Sequence, residues 1–91
     1  MIRKWRHKGL RDFFKSGTLA GIETTHASRL RELLLMLDEA RSPNDMHRPG
    51  FKLHRLHGSP VRWSVWVSGN WRLTFEFDDG DARNVDYEDY H

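Results

Sequence analysis

The 91-residue chain is predicted to form one α+β domain spanning residues 1–91, with two N-terminal helices packed on one face of a small twisted antiparallel sheet. Three observations carry this. The stretch RWSVWVSGNWRLTFEF, Arg62 to Phe77, alternates apolar and polar residues almost without error, as strands with one buried face do. Upstream, two segments repeat apolar residues at helical spacing instead. Helices first and strands afterwards, with no long crossover between strands, describe helices gathered on one face and a second face left open.

Taken in order, Ile2 to Arg6 reads as a short edge strand whose lysine and arginines discourage edge pairing. His7 to Ser16 reads as a helix, with Leu10, Phe13 and Phe14 at i, i+3, i+4 and Gly17 as its stop. Thr24 or Thr25 can cap a second helix, buried through Ala27, Leu30, Leu33, Leu34 and Leu37 and ended by Ser42-Pro43. Leu35 and Met36 widen its apolar surface, which is assigned to the core. Asn44 to Gly50 is a loop, and Phe51 to Leu53 begins a strand that bends, bulges or ends near His54.

Face matching sets the hairpin register, because a one-residue slip sends every apolar side chain to water. A three-residue loop, Ser68-Gly69-Asn70, pairs Val67 with Trp71, Val65 with Leu73 and Trp63 with Phe75, with Asn70 as the left-handed residue. Trp66 then opposes Arg72, and Arg62 opposes Glu76. A second turn at Asp78-Asp79-Gly80 returns the chain. Pairing Leu73 with Val85 and Trp71 with Tyr87 puts Asp86 beside Arg72.

Composition narrows the function. No cysteine is present, so disulfides and thiolate metal sites are excluded, and a reducing cytoplasm is the expected compartment. No apolar run approaches the roughly 20 residues of a membrane span, and MIRKWRHKGL lacks the apolar core of a signal peptide. The net charge of +2 is unevenly spread. Residues 1–16 carry six cations against one acid, residues 76–91 seven acids against one cation, and Met46 to Phe75 five cations, three histidines and no acid. An acid-free basic stretch with interleaved Trp and His suits single-stranded nucleic acid, through phosphate attraction and base stacking. A solvated face, or the mate of the acidic tail, explains the composition equally well.

The open face is expected to collect His54, Trp66, Arg72 and Asp86, with Tyr90 and His91 arriving at the end of the last strand. These groups suit phosphodiester cleavage by the neighbouring ribose 2′-hydroxyl. A base removes the hydroxyl proton, a guanidinium stabilises the crowded phosphorane oxygens, and an acid protonates the leaving 5′-oxygen. No metal or other cofactor is required. Plainer roles exist for each: Arg72 as partner of Asp86 or Trp66, Asn70 as a turn residue, and Tyr90-His91 as a frayed end. His54 and His57 have the spacing of a metal pair but lack a cysteine or well-placed carboxylate.

The whole chain resembles the HigB-type toxins of the RelE/ParE superfamily, in the opening MIRKWRHKGL, KLHRLHG at 52–58, GNWRLTF at 69–75 and VDYEDYH at 85–91. The resemblance implies the RelE-like microbial ribonuclease fold and an endoribonuclease that enters the ribosomal A site and cuts translated mRNA. It also implies a cognate HigA-like antitoxin with a helix-turn-helix fold. By matching position, His54 serves in proton transfer, Arg72 in transition-state stabilisation, Tyr90 and His91 in acid chemistry or base stacking, and Asp89 and Asn70 in support. His57 stands where family members often carry lysine, which turns a permanent charge into a pH-dependent one. Lys52, Arg55, Arg62, Trp66 and Asn70 are the expected RNA contacts. The same fold also serves ParE-like gyrase poisons, which bind a protein and cut no RNA, and inactive antitoxin- or RNA-binding relatives. A DNA-damage response with intact mRNA marks the former, and absence of toxicity the latter.

Overall fold

A computed structural model describes residues 1–90. Helix α1 (Lys8–Ser16) and helix α2 (Ala27–Glu39) precede four strands, β1 (His54–Leu56), β2 (Arg62–Ser68), β3 (Trp71–Asp78) and β4 (Asp81–Asp89). The strands form one antiparallel sheet in the order β1-β2-β3-β4. The α+β prediction is borne out, and so are the buried stripes. Leu10 and Phe13 of α1 and Leu30, Leu33, Leu34 and Leu37 of α2 close over Val65, Leu73, Phe75 and Val85 on the inner sheet face. Among the described residues, no helix is long and apolar enough to cross a membrane.

The ends of α1 form as their residues dictate. His7 caps the first turn, its Nδ1 accepting the Leu10 amide at 2.9 Å, and Gly17 takes the left-handed turn that stops the helix, at φ 80°. Several local expectations are corrected. Ile2 to Arg6 makes two parallel bridges, Ile2 to Ala82 and Trp5 to Val85, rather than a continuous strand. Thr24–His26 forms a 3₁₀ turn, and no side chain caps α2. Helix α2 stops at Glu39, before Ser42-Pro43, and Pro43–Met46 is a second 3₁₀ turn. Leu35 is 55% exposed, because it points away from the stripe its neighbours bury.

The strand expected at Phe51 begins at His54 instead. Phe51 still docks on the sheet, its carbonyl accepting the Trp66 amide at 2.7 Å. In the hairpin, Trp63–Phe75, Val65–Leu73 and Trp66–Arg72 pair as the faces require. Near the tip Ser68 pairs with Trp71, leaving Val67 in a bulge, and Gly69 rather than Asn70 adopts positive φ, at 53°.

The β3–β4 register departs further. Asp78 pairs with Asp81 across a two-residue turn, and both turn residues, Asp79 and Gly80, have positive φ. A second register shift between Thr74 and Glu76 accompanies Asn84 at φ 51°. Leu73 therefore opposes Tyr87, Thr74 opposes Asp86, and Arg72 opposes Glu88. The two one-residue offsets add to an even number, so Val85 and Tyr87 still face inward.

Candidate active site

A cleft of about 520 Å³ lies on the open sheet face, lined by Lys52, Leu53, His54, Leu56, Ser64, Arg72 and Tyr90. Each polar group arrives by strand parity. His54 opens β1 opposite Ser64, Ser64 opposes Thr74, and Arg72 follows two residues before Thr74 on the same face. Tyr90 stands two residues beyond Glu88, held by its amide donating to the Asn70 carbonyl at 2.9 Å. Asn70 thus supports the end of β4 through its backbone.

Among the described residues, Arg72 is hydrogen-bonded at one edge. Its Nη1 donates to the Gly69 carbonyl at 2.9 Å and the Trp71 carbonyl at 3.1 Å. Among the described residues no carboxylate pairs with it; Asp86, expected alongside, is displaced by the register of β4. No described carboxylate therefore competes with an anion for its charge. Trp66 turns its Nε1–H to the same Gly69 carbonyl at 3.0 Å, and the Lys52 ammonium sits 4.5 Å from its ring centroid.

Beside the cleft runs a polar network absent from the sequence reading. Arg62 Nη2 donates to Thr74 Oγ1 at 2.8 Å and to Glu88 Oε2 at 2.5 Å, while the Thr74 hydroxyl also donates to Glu88. Arg62 therefore serves Glu88 and not Glu76, which accepts from Asn84. The signal for Glu88 was present in the alternation Asp86, Glu88, Tyr90, but the misplaced register hid its partners. Burial pushes the Tyr90 phenol pKa up, and Glu88 adds to the rise against the lowering influence of Arg62 and Arg72. Tyr90 is consequently a protonated donor at neutral pH.

The remaining candidates divide. Lys52, His54, Arg72 and Tyr90 come together in the cleft, with Trp66 against Lys52. Arg55 and His57 line an adjacent depression that shares only Leu56 with the cleft. Asp89 ends β4 opposite Trp71, and His91 lies outside the described residues. Arg29 of α2, which no periodicity marks as functional, reaches the Trp66 carbonyl from the helix side.

Fold and cleft together define a class, a two-layer α+β domain with a cleft on its open sheet face lined by Lys52, His54, Arg72 and Tyr90. Within it the lineage is specific. The family of RelE-like toxins of the type II toxin–antitoxin system HigB matches residues 3–91. Endoribonuclease HigB of Proteus vulgaris is 39% identical over 92 residues, covering all of both chains. The chain belongs to the HigB-like toxin family.

Proposed function

We propose that this toxin is a ribosome-dependent endoribonuclease, cutting translated mRNA in the A site by attack of the ribose 2′-hydroxyl on the adjacent phosphodiester. The observation that carries the proposal is the convergence of His54, Arg72 and Tyr90 on one open-face cleft, with the arginine unpaired by any described carboxylate. The name of the Proteus vulgaris relative supports RNA as the substrate. His54 removes the 2′-hydroxyl proton as O2′ bonds to phosphorus. Arg72 stabilises the phosphorane oxygens, and the Tyr90 phenol protonates the departing 5′-oxygen, leaving a 2′,3′-cyclic phosphate and a 5′-hydroxyl. His91 and Asp89 assist at the end of the last strand, and His57 and Arg55 meet the RNA beyond the cleft. Lys52 and Arg62 hold phosphates, and Trp66 offers a stacking surface. The chemistry is assigned to side chains alone, without a metal.

The partners proposed with this activity are the ribosome and mRNA, and a HigA-like helix-turn-helix antitoxin that silences the toxin in the cytoplasm. Expression of wild-type protein is expected to arrest growth with mRNA fragmentation, whereas Arg72→Ala leaves growth and mRNA intact while still binding antitoxin. A DNA-damage response with unbroken mRNA would instead identify a gyrase poison.

A further inference from the structure

Arg29 reaches from α2 to backbone carbonyls of β2 and of the loop before β1. Its Nε and Nη2 donate to the Trp66 carbonyl at 3.2 and 2.9 Å, and Nη2 also reaches the Gly50 carbonyl at 2.8 Å. Nη1 donates to Glu32 at 3.0 Å, and the guanidinium carbon lies 5.0 Å from the Phe51 ring centroid and 5.8 Å from that of Trp66. One planar fork thus ties three things together: the helix, the loop before β1, and the point where β2 enters its bulge.

Those carbonyls belong to neighbours of cleft residues, Trp66 pairing with Arg72 and Gly50 lying two residues before Lys52. Trp66 is also the last regular pair of the hairpin before the ladder slips. Lys52 itself has φ 52°, a left-handed conformation that a side-chain-bearing residue adopts only when its surroundings impose it. The two residues before it are held by Arg29 donating to the Gly50 carbonyl, by the Trp66 amide donating to the Phe51 carbonyl, and by the Phe51 amide donating to the Arg48 carbonyl. The resulting turn sends the Lys52 ammonium across the Trp66 ring and into the cleft wall.

We infer that Arg29 is a positioning residue of the cleft, holding the Lys52 ammonium and the Trp66 indole where an RNA strand meets them, while touching no substrate itself. The assignment rests on reading the cleft as the RNA site. Its effect belongs to binding, because Arg29 bonds to neither Arg72 nor Tyr90, whose own hydrogen bonds run to Gly69, Trp71 and Asn70.

The test is single-turnover cleavage on mRNA-programmed ribosomes with active-site-titrated protein. Arg29→Gln is expected to raise the half-saturating toxin concentration roughly tenfold, leaving the saturated rate near wild type. Arg29→Lys, which keeps the charge and loses the fork, is expected to behave like Arg29→Gln, and adding Arg29→Gln to Lys52→Ala to cost less than the product of the two single losses. A purely structural role would lower the melting temperature and the active fraction without moving half-saturation. Full rescue by Arg29→Lys, or losses that multiply with Lys52→Ala, would overturn the inference. Nitrogen–proton NMR of the same variants separates it from the nuclease reading. Arg29→Gln is expected to shift the Trp66 indole and Lys52 amide resonances but not the Tyr90 amide. An unchanged spectrum overturns the positioning role whatever the protein cuts, while wild-type protein that cuts nothing overturns only the nuclease.

Discussion

At the scale of single residues, the division of labour in the cleft follows from how each group is held. Arg72 is braced by two backbone carbonyls and keeps its charge unpaired by the described carboxylates, whereas Arg62 is committed to Thr74 and Glu88. Tyr90 is a protonated donor whose pKa is raised, by partial desolvation first and Glu88 second. Tyr90→Phe, which removes only the hydroxyl, is expected to slow cleavage by about 10²–10⁴-fold with folding unchanged. Chemical-quench rates and a melting curve check this. The alkaline limb assigned to Tyr90 should lie above the ordinary tyrosine value of 10.0, because its pKa is raised. His54 and Arg72 were legible in the sequence because alternation assigns a side chain to a face, whereas Lys52 reaches the cleft from a left-handed turn outside any strand, which alternation does not describe. Arg29 was not legible either, since a cation on a helix between apolar positions looks the same whether it meets water or a carbonyl across the domain.

At the scale of elements, the helices read clearly because their apolar residues recur at unambiguous spacing. Turns and bulges did not, because a single left-handed residue changes register without changing pattern. Asn84 at φ 51° and the two-residue turn at Asp79-Gly80 together moved β4 by two positions, replacing Asp86 with Glu88 beside Arg72. Asp79, Gly80 and Asn84 are residue types that tolerate such angles, but the sequence does not say which of several adjacent candidates takes them. The packing of α1 against the following loop gives an element-scale prediction. A Cβ on Gly9 would stand 2.7 Å from the Gly21 Cα, a backbone atom with no rotamer to yield. Gly9→Ala is therefore expected to destabilise the fold by about 1–3 kcal/mol, measured by urea unfolding. In contrast, substitution at exposed Leu35 should be nearly silent.

At the scale of the whole molecule, the uneven charge seen in the sequence is partly resolved by folding. The N-terminal segment lies along β4, and Asp81 accepts from both Arg3 Nε at 3.0 Å and the Met1 amino group at 3.2 Å. The Arg3 hydrogen bond first, and the amino terminus second, hold the Asp81 carboxyl below its ordinary value of 3.8. A depressed folded-state pKa means stability that is present above the unfolded value and lost as pH falls through the folded one. Asp81→Asn is expected to lower the melting temperature at neutral pH and to converge on wild type in acid; equal offsets at every pH would contradict the linkage. In the middle basic stretch Arg62 is likewise paired, with Glu88, while Lys52, His54 and Arg72 line the cleft. The most direct measurement is cleavage of mRNA on programmed ribosomes by Arg72→Ala protein that melts like wild type. A rate lowered at least about a hundredfold is the expected result, and cutting within a few-fold of wild type would show that the open-face cleft is not where the phosphodiester reacts.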